Sequence, residues 1–258
     1  MQKKFYLQLR SIGIACSFIL YSLLNFSFVP ARNSVSDLLA DENYRLSAAI
    51  NPFTFDPLEV NSILRKFTIY DSLNLDNEGL DFETFDYALR GYEKLLANGQ
   101  AIKSSVLSIV DFSQPSVNKR LYVIDLDNYE LLYRTYVSHG RNSGNAVAKS
   151  FSNQMSSYQS SLGFYVTSET YRGKHGYSLR LEGMERGLND NARKRAIVMH
   201  SASYADEGVI KQLGYLGRSQ GCPAIPVAIH KQIINQIKDG SCLFIYHPSY
   251  LSRSKFII

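Results

Sequence analysis

The hydrophobic period of this chain changes near Ser105, and that change limits its fold more than any other feature. Before it, Asp81 precedes Phe82, Phe85, Ala88, Leu89, Tyr92, Leu95 and Leu96, which recur at helical spacing and share one face. Asp81 suits an N-cap, because a short carboxylate accepts from the first free N–H groups, and Asn98-Gly99 suits a stop. Residues 57–98 are therefore expected to be helical. After Ser105 the pattern shortens to runs rich in Val, Ile, Leu and Tyr, at residues 106–112, 120–126, 130–137, 162–167, 178–181, 196–199 and 242–246. Asp127-Asn128 between two of them predicts a hairpin turn. Residues 209–213 and 226–238 are expected as helices, the second with Pro226 at its start and Ile229, Ile233 and Ile237 on one face. The fold class that follows is β-rich α+β, mainly β, with a small helical N-terminal attachment. Residues 150–161 form one long Ser-rich loop, and such loops often serve sites.

The first thirty residues stand apart. Lys3, Lys4 and Arg10 are followed by a charge-free run from Ser11 to Ala31. A basic start before an apolar run predicts an exported chain, with a leader at 1–31 that is either a cleaved signal or a retained inner-membrane anchor. The expected division is 1–31 leader, 32–104 linker and helical attachment, and 105–258 β-rich domain, placed in the periplasm or cell envelope. The formal charge of +5 shrinks once the leader is set aside, because 25 basic residues then face 23 acidic ones. No Lys/Arg cluster tracks phosphates, so nucleic acid is excluded as a partner.

Metal and cofactor motifs are absent too. The stretch from Asn74 to Gly79 resembles a calcium loop, but Phe85 stands where the bidentate Glu must be. There is no His-Glu-x-x-His and no Cys-x-x-Cys, so neither zinc nor any other cofactor is expected. The Gly140 to Gly144 stretch lacks the Gly-Lys-Ser/Thr of a phosphate loop. Three cysteines, Cys16, Cys222 and Cys242, are too few for a disulfide framework. A Cys222–Cys242 bridge is one reading, and a buried, inert Cys242 in an apolar strand is the better one.

That leaves Cys222 as a candidate nucleophile. It follows Ser219-Gln220-Gly221, twenty-two residues after His200, which ends a predicted strand. A thiol nucleophile needs a base, a group that orients the base, and N–H donors for the oxyanion. Gly221 permits a tight turn that aims backbone N–H groups at one point. Pro223 fixes the chain direction and has no N–H to compete.

His200 followed by Ser219-Gln220-Gly221-Cys222 resembles the YkuD-type L,D-transpeptidases. Further likeness lies in the 120–125 string, Val137 to Gly140, Phe151 to Asn153, Ser161 to Tyr165 and Gly217 to Ser219, and covers roughly residues 80–250. The resemblance implies a YkuD-like β-sandwich or barrel and a cysteine acyltransferase acting on peptidoglycan stem peptides through a Cys222 thioester. It implies His200 as general base, the Ser201 carbonyl as its orienter, and the N–H groups of Gly221 and Cys222 as oxyanion donors. Arg218, Ser219, Gln220, His139 and Gly163 are expected to bind substrate, although a structural role for His139 is an equal alternative. His175 is weighed as a loop residue beside the pocket. The sequence departs from the main family at Gln220, where a His is usual, and at Ala224, where an Arg is usual. Arg218 is expected to take over the electrostatic role of that Arg. Two alternatives stay open: a carboxypeptidase or peptidoglycan–protein link hydrolase with the same thiol, and a non-catalytic wall-binding module.

Overall fold

The computed structural model describes residues 57–100 and 105–257. The leader at 1–31 and the segment at 32–56 lie outside the described residues. Among the described residues two helices come first, α1 (Pro57–Ser72) and α2 (Phe82–Ala97). The Asp81 carboxylate accepts from the Glu83 N–H at 2.9 Å, and Gly99 takes a left-handed φ of 65° just past the last turn. Both ends of α2 thus follow from local chemistry, as expected. Its buried face holds Phe85, Ala88, Leu89, Tyr92 and Leu95. Leu96, expected on that face, is exposed, and Phe82 stacks on Phe67 of α1 instead, with ring centroids 4.6 Å apart.

Eight strands follow: β1 (Val106–Asp111), β2 (Leu121–Asp125), β3 (Glu130–Thr135), β4 (Gly163–Gly173), β5 (Gly176–Gly183), β6 (Val198–Ser201), β7 (Ala224–Ile225) and β8 (Cys242–Tyr246). Helices α3 (Glu207–Leu213) and α4 (His230–Ile237) lie between the last strands. The strands form one mixed sheet in the order β3-β2-β1-β8-β4-β5-β6-β7. Pairs β1–β8 and β6–β7 are parallel and the other five are antiparallel. The two edges approach each other just past β3, where the Ser138 N–H donates to the Ala224 carbonyl at 2.8 Å. The result is a nearly closed eight-stranded barrel with N-terminal helices, the β-rich α+β fold the pattern predicts.

The core is continuous from α2 into the sheet. Phe164 on β4 stacks on Phe244 of β8 at 4.2 Å and packs against Tyr250 and Phe256. Gly91 of α2 presses onto that ring so closely that a Cβ there would lie 1.8 Å from Phe164 Cζ. Central strands β1, β2 and β8 are buried on both faces, which is why they read as mostly apolar runs, with Ser108 the one polar residue inside β1.

Several elements differ from expectation: turns at residues 73–79 break the helical stretch, β6 begins at Val198 rather than at 196, and β7 lies where no strand is expected. β4 runs six residues beyond Thr167. Its outer half is polar because it leaves the core with β5 as a projecting hairpin, so the apolar pattern is silent there. α4 starts at His230 rather than at Pro226, because residues 226–229 form a turn anchored by the Val227 N–H on Asp206 Oδ1.

Candidate active site

The nucleophile segment lies at the seam that closes the barrel. The Ser219 N–H donates to the His139 carbonyl at 2.9 Å, and the Arg141 N–H donates to the Ser219 carbonyl at 2.7 Å. Beyond Cys222 the chain enters β7, where Ala224 pairs with His200 and Ile225 with Ser201. His200 also pairs with Ser178 of β5, so it is held by neighbours on both sides. This register brings Cys222 and His200 into one cleft of about 550 Å3.

His200 is almost fully buried, and its Nδ1 lies 2.9 Å from the Ser201 carbonyl oxygen. A carbonyl only accepts, so Nδ1 carries the proton and Nε2 keeps its lone pair. Burial holds the imidazole below its usual pKa; the Ser201 bond works the other way, and His175 lowers it further. The ring of His175 stacks on that of His200. The expectation that His175 lies near the pocket follows through: it lines the cleft from the tip of the β4–β5 hairpin.

The Cys222 thiol is half-buried and free. Its partners are not His200 but the chain at the start of β6. The Val198 N–H donates to Sγ at 3.5 Å, and the thiol donates to the Ala196 carbonyl at 3.7 Å. Ala196 has a left-handed φ of 53°, unusual for a residue with a side chain, and this turns its carbonyl toward the sulfur. Burial pushes the thiol pKa up, while the Val198 N–H and the Arg195 charge pull it down. The resting pair is therefore a neutral thiol and a neutral imidazole. Cys242 is free and fully buried in β8, so the bridge to Cys222 is not formed.

Gly221 takes a φ of 119°, and a Cβ there would meet the Gln159 carbonyl oxygen at 2.7 Å. Its N–H is held by Ser219 Oγ at 3.0 Å, and the same hydroxyl donates to the Cys222 carbonyl at 2.6 Å. So of the two expected oxyanion donors, Gly221 is already committed. Among the described residues, the Cys222 N–H meets no acceptor and remains available. Gly221 serves through conformation, and the buried Ser219 ties the turn together.

The other expected binding residues separate into two groups. Arg218 and Gln220 line the cleft together with Ser219. Arg218 uses Nη1 on the Gly144 carbonyl and Asn145 Oδ1. His139 and Gly163 are not at the cleft. His139 is 1 % exposed, and its Nδ1 accepts from Arg120 Nη2 at 2.8 Å; it is a core residue that holds the loop after Ser138. Gly163 starts β4 with a φ of 102°, and a Cβ there would lie 2.4 Å from Glu185 Oε1. Its smallness admits the buried Glu185 carboxylate, which accepts from the Phe164 N–H at 2.8 Å.

Sequence reasoning missed Arg195, Lys174 and Tyr204, all of which line the cleft. Burial pushes the Tyr204 hydroxyl up to about 12. Arg195 ends the run Arg193-Lys194-Arg195, in which nothing local marks one side chain for the cleft. Arg193 faces outward, pairing with Glu169 and Glu182, whereas Arg195 turns inward. No Asp or Glu lines the cleft, while Lys174, Arg195 and Arg218 do. Such a surface suits a ligand that carries carboxylates. Among the described residues, no cluster of three His, Cys, Asp or Glu could hold a metal ion.

Solved structures with which the chain aligns include an L,D-transpeptidase from Mycobacterium smegmatis, at 13% identity and a TM-score of 0.35, covering 56% of this chain and 59% of that one. L,D-transpeptidase 3 from Mycobacterium tuberculosis aligns at 14% identity and a TM-score of 0.37, covering 56% and 62%. An L,D-transpeptidase from Stackebrandtia nassauensis aligns at 15% identity and a TM-score of 0.34, covering 63% and 65%. The chain thus spans less than two thirds of the length of these relatives. Among curated protein sequences no match was found. A family model for the L,D-transpeptidase catalytic domain matches residues 76–246, from the turn before α2 to the end of β8. Since that match takes in about two thirds of the chain, including both His200 and Cys222, the chain belongs to the L,D-transpeptidase catalytic domain family.

Proposed function

We propose that this chain is an exported cysteine L,D-transpeptidase that acts on peptidoglycan stem peptides through an acyl-enzyme on Cys222. The observation that carries this reading is the contact of His200 Nδ1 with the Ser201 carbonyl. With Nδ1–H bound to the Ser201 carbonyl, the basic Nε2 is left for the cleft in which the Cys222 thiol and its free N–H also sit.

The sulfur attacks the carbonyl carbon of the third stem residue, and its proton leaves for His200 Nε2. The carbonyl π electrons move onto oxygen, where the Cys222 N–H stabilises the developing charge. When the intermediate collapses, the bond to the terminal D-alanine nitrogen breaks, and that nitrogen takes the proton from His200. A thioester remains. An amine from a neighbouring stem then attacks the thioester carbon and gives a proton to His200. The Cys222 sulfur leaves and regains that proton. The resting thiol must exchange its bond to Ala196 for one to His200, a change that substrate binding commonly completes in such sites. The three cations of the cleft, with no acid among its lining residues, support stem carboxylates as the recognised groups. Export is supported by the charge-free run that follows Lys3, Lys4 and Arg10, and fractionation of cells between cytoplasm and envelope tests it.

The central experiment is acylation followed by product analysis. A carbapenem adduct on the intact protein, absent from Cys222→Ser, supports an acylating thiol. Tetrapeptide muropeptides should then yield D-alanine and a cross-linked dimer. D-alanine with only the shortened monomer makes the enzyme a carboxypeptidase. Neither an adduct nor D-alanine release from folded protein overturns the enzymatic reading.

A further inference from the structure

Arg195 is a half-buried guanidinium whose hydrogen-bond partners are all neutral. Nη1 donates to the Ser152 carbonyl at 2.8 Å and to Ser161 Oγ at 3.1 Å. Nη2 donates to the Gln159 carbonyl at 2.6 Å and to Ser157 Oγ at 3.2 Å. Among the described residues no carboxylate pairs with it, whereas its neighbour in sequence, Arg193, meets two. A cation placed at this depth without an anion costs free energy unless an anion forms beside it. The group able to become that anion is Cys222. Nη2 lies 3.3 Å from where a Cβ of Gly221 would be, one residue from the thiol. The left-handed Ala196 directly after Arg195 supplies the carbonyl that accepts from the thiol, and Val198 supplies the N–H that donates to it.

We propose that Arg195 is a positioning residue with two linked tasks: it stabilises the Cys222 thiolate as His200 removes the proton, and it holds the Ser-rich loop as one wall of the cleft. The first task deepens the Cys222–His200 reading and rests on it for its catalytic meaning. The other charged or titratable groups lining the cleft are His200, His175, Lys174, Arg218, Tyr204, Tyr158 and Tyr171. Lys174 and His175 are exposed at the hairpin tip, and Arg218 is tied to the loop at 141–145. Arg195 is the cation whose charge eases ionisation of this thiol. The four bonds from one guanidinium to residues 152–161 make the second task a consequence of the same placement.

The test is the pH dependence of iodoacetamide alkylation at Cys222, followed by mass spectrometry of its own peptide. This readout needs no substrate, so it is independent of whether the protein transfers or hydrolyses. Arg195→Gln should move the alkylation midpoint up by about one pH unit, roughly tenfold less thiolate at a given pH. Arg195→Lys, which keeps the charge but not the fork, should recover part of that shift while residues 152–161 become easier to cleave with protease. His200→Gln keeps Arg195 and replaces an imidazole that is neutral at rest, so its midpoint should stay within about half a unit of wild type. A folded Arg195→Gln with an unmoved midpoint overturns the proposal. If Arg195→Gln does not fold, His200→Gln decides: a midpoint raised by about a unit or more assigns the thiolate to His200 and overturns the proposal.

Discussion

The imidazole rings of His175 and His200 lie stacked, with centroids 4.3 Å apart and planes 23° from parallel. They come from a hairpin tip and from β6, and meet because β5 pairs with β6. Neutral His200 is the form that accepts a proton, so acylation should fall on the acid side as this ring is protonated, with a midpoint below the usual histidine value of about 6.5. His175→Ala removes a neighbour that lowers the His200 pKa and opens the ring to water. Both changes raise it. The acid limb of the acylation profile should therefore move up by a few tenths to about one pH unit. A limb that stays in place, or moves down, removes the stacked ring from any tuning role.

Gly221 is constrained by conformation and by space together. Its φ is 119°, and the Gln159 carbonyl that a Cβ would strike is itself held by Arg195. Gly221→Ala should lose about 1–3 kcal/mol in urea unfolding, and acylation per folded molecule should slow by about a hundredfold. Wild-type stability in this variant would show that the turn relaxes freely.

His139 predicts an acid weakness in the fold rather than in catalysis. Burial first, and Arg120 second, hold its pKa at about 4, below the unfolded value of about 6.5. Between these values the unfolded chain binds a proton that the folded one refuses. Stability present above pH 6.5 is thus lost as pH falls toward 4, by about 3 kcal/mol at most. Urea titrations at pH 7 and pH 4.5 should show that loss in wild type and a smaller one in His139→Gln. Equal losses would place the acid sensitivity elsewhere.

Contact between Gly91 and Phe164 makes α2 part of the same core as the barrel. Gly91→Ala forces a methyl into a ring held between Phe244 and Phe256. The expected cost is about 1–3 kcal/mol of stability, read as a lower Tm. Neither residue lines the cleft, so the carbapenem acylation rate per folded molecule should match wild type. A full loss of acylation in folded Gly91→Ala would mean that α2 acts on the site.

Much of this molecule was legible from local chemistry. The Asp81 cap, the Gly99 stop and both ends of β8 follow from residue type and hydrophobic period. The sequence also named His200 and Cys222, which the fold brings into one cleft, because a histidine at a strand end and a Gly-Cys-Pro turn are features of short segments. Other relationships have no local signal. Which of Arg193, Lys194 and Arg195 turns inward is set by distant partners: residues 152–161 hold Arg195, while Glu169 and Glu182 hold Arg193. His175 reaches His200 only through the register of β5 on β6, and His139 is drawn into the core by Arg120, nineteen residues away. The sequence by itself determined most of the elements and the candidate pair Cys222 and His200, because capping, periodicity and side-chain chemistry act over a few residues. The tertiary structure decided the neighbours that set their pKa values, because burial and charge act through space and are assigned by strand pairing.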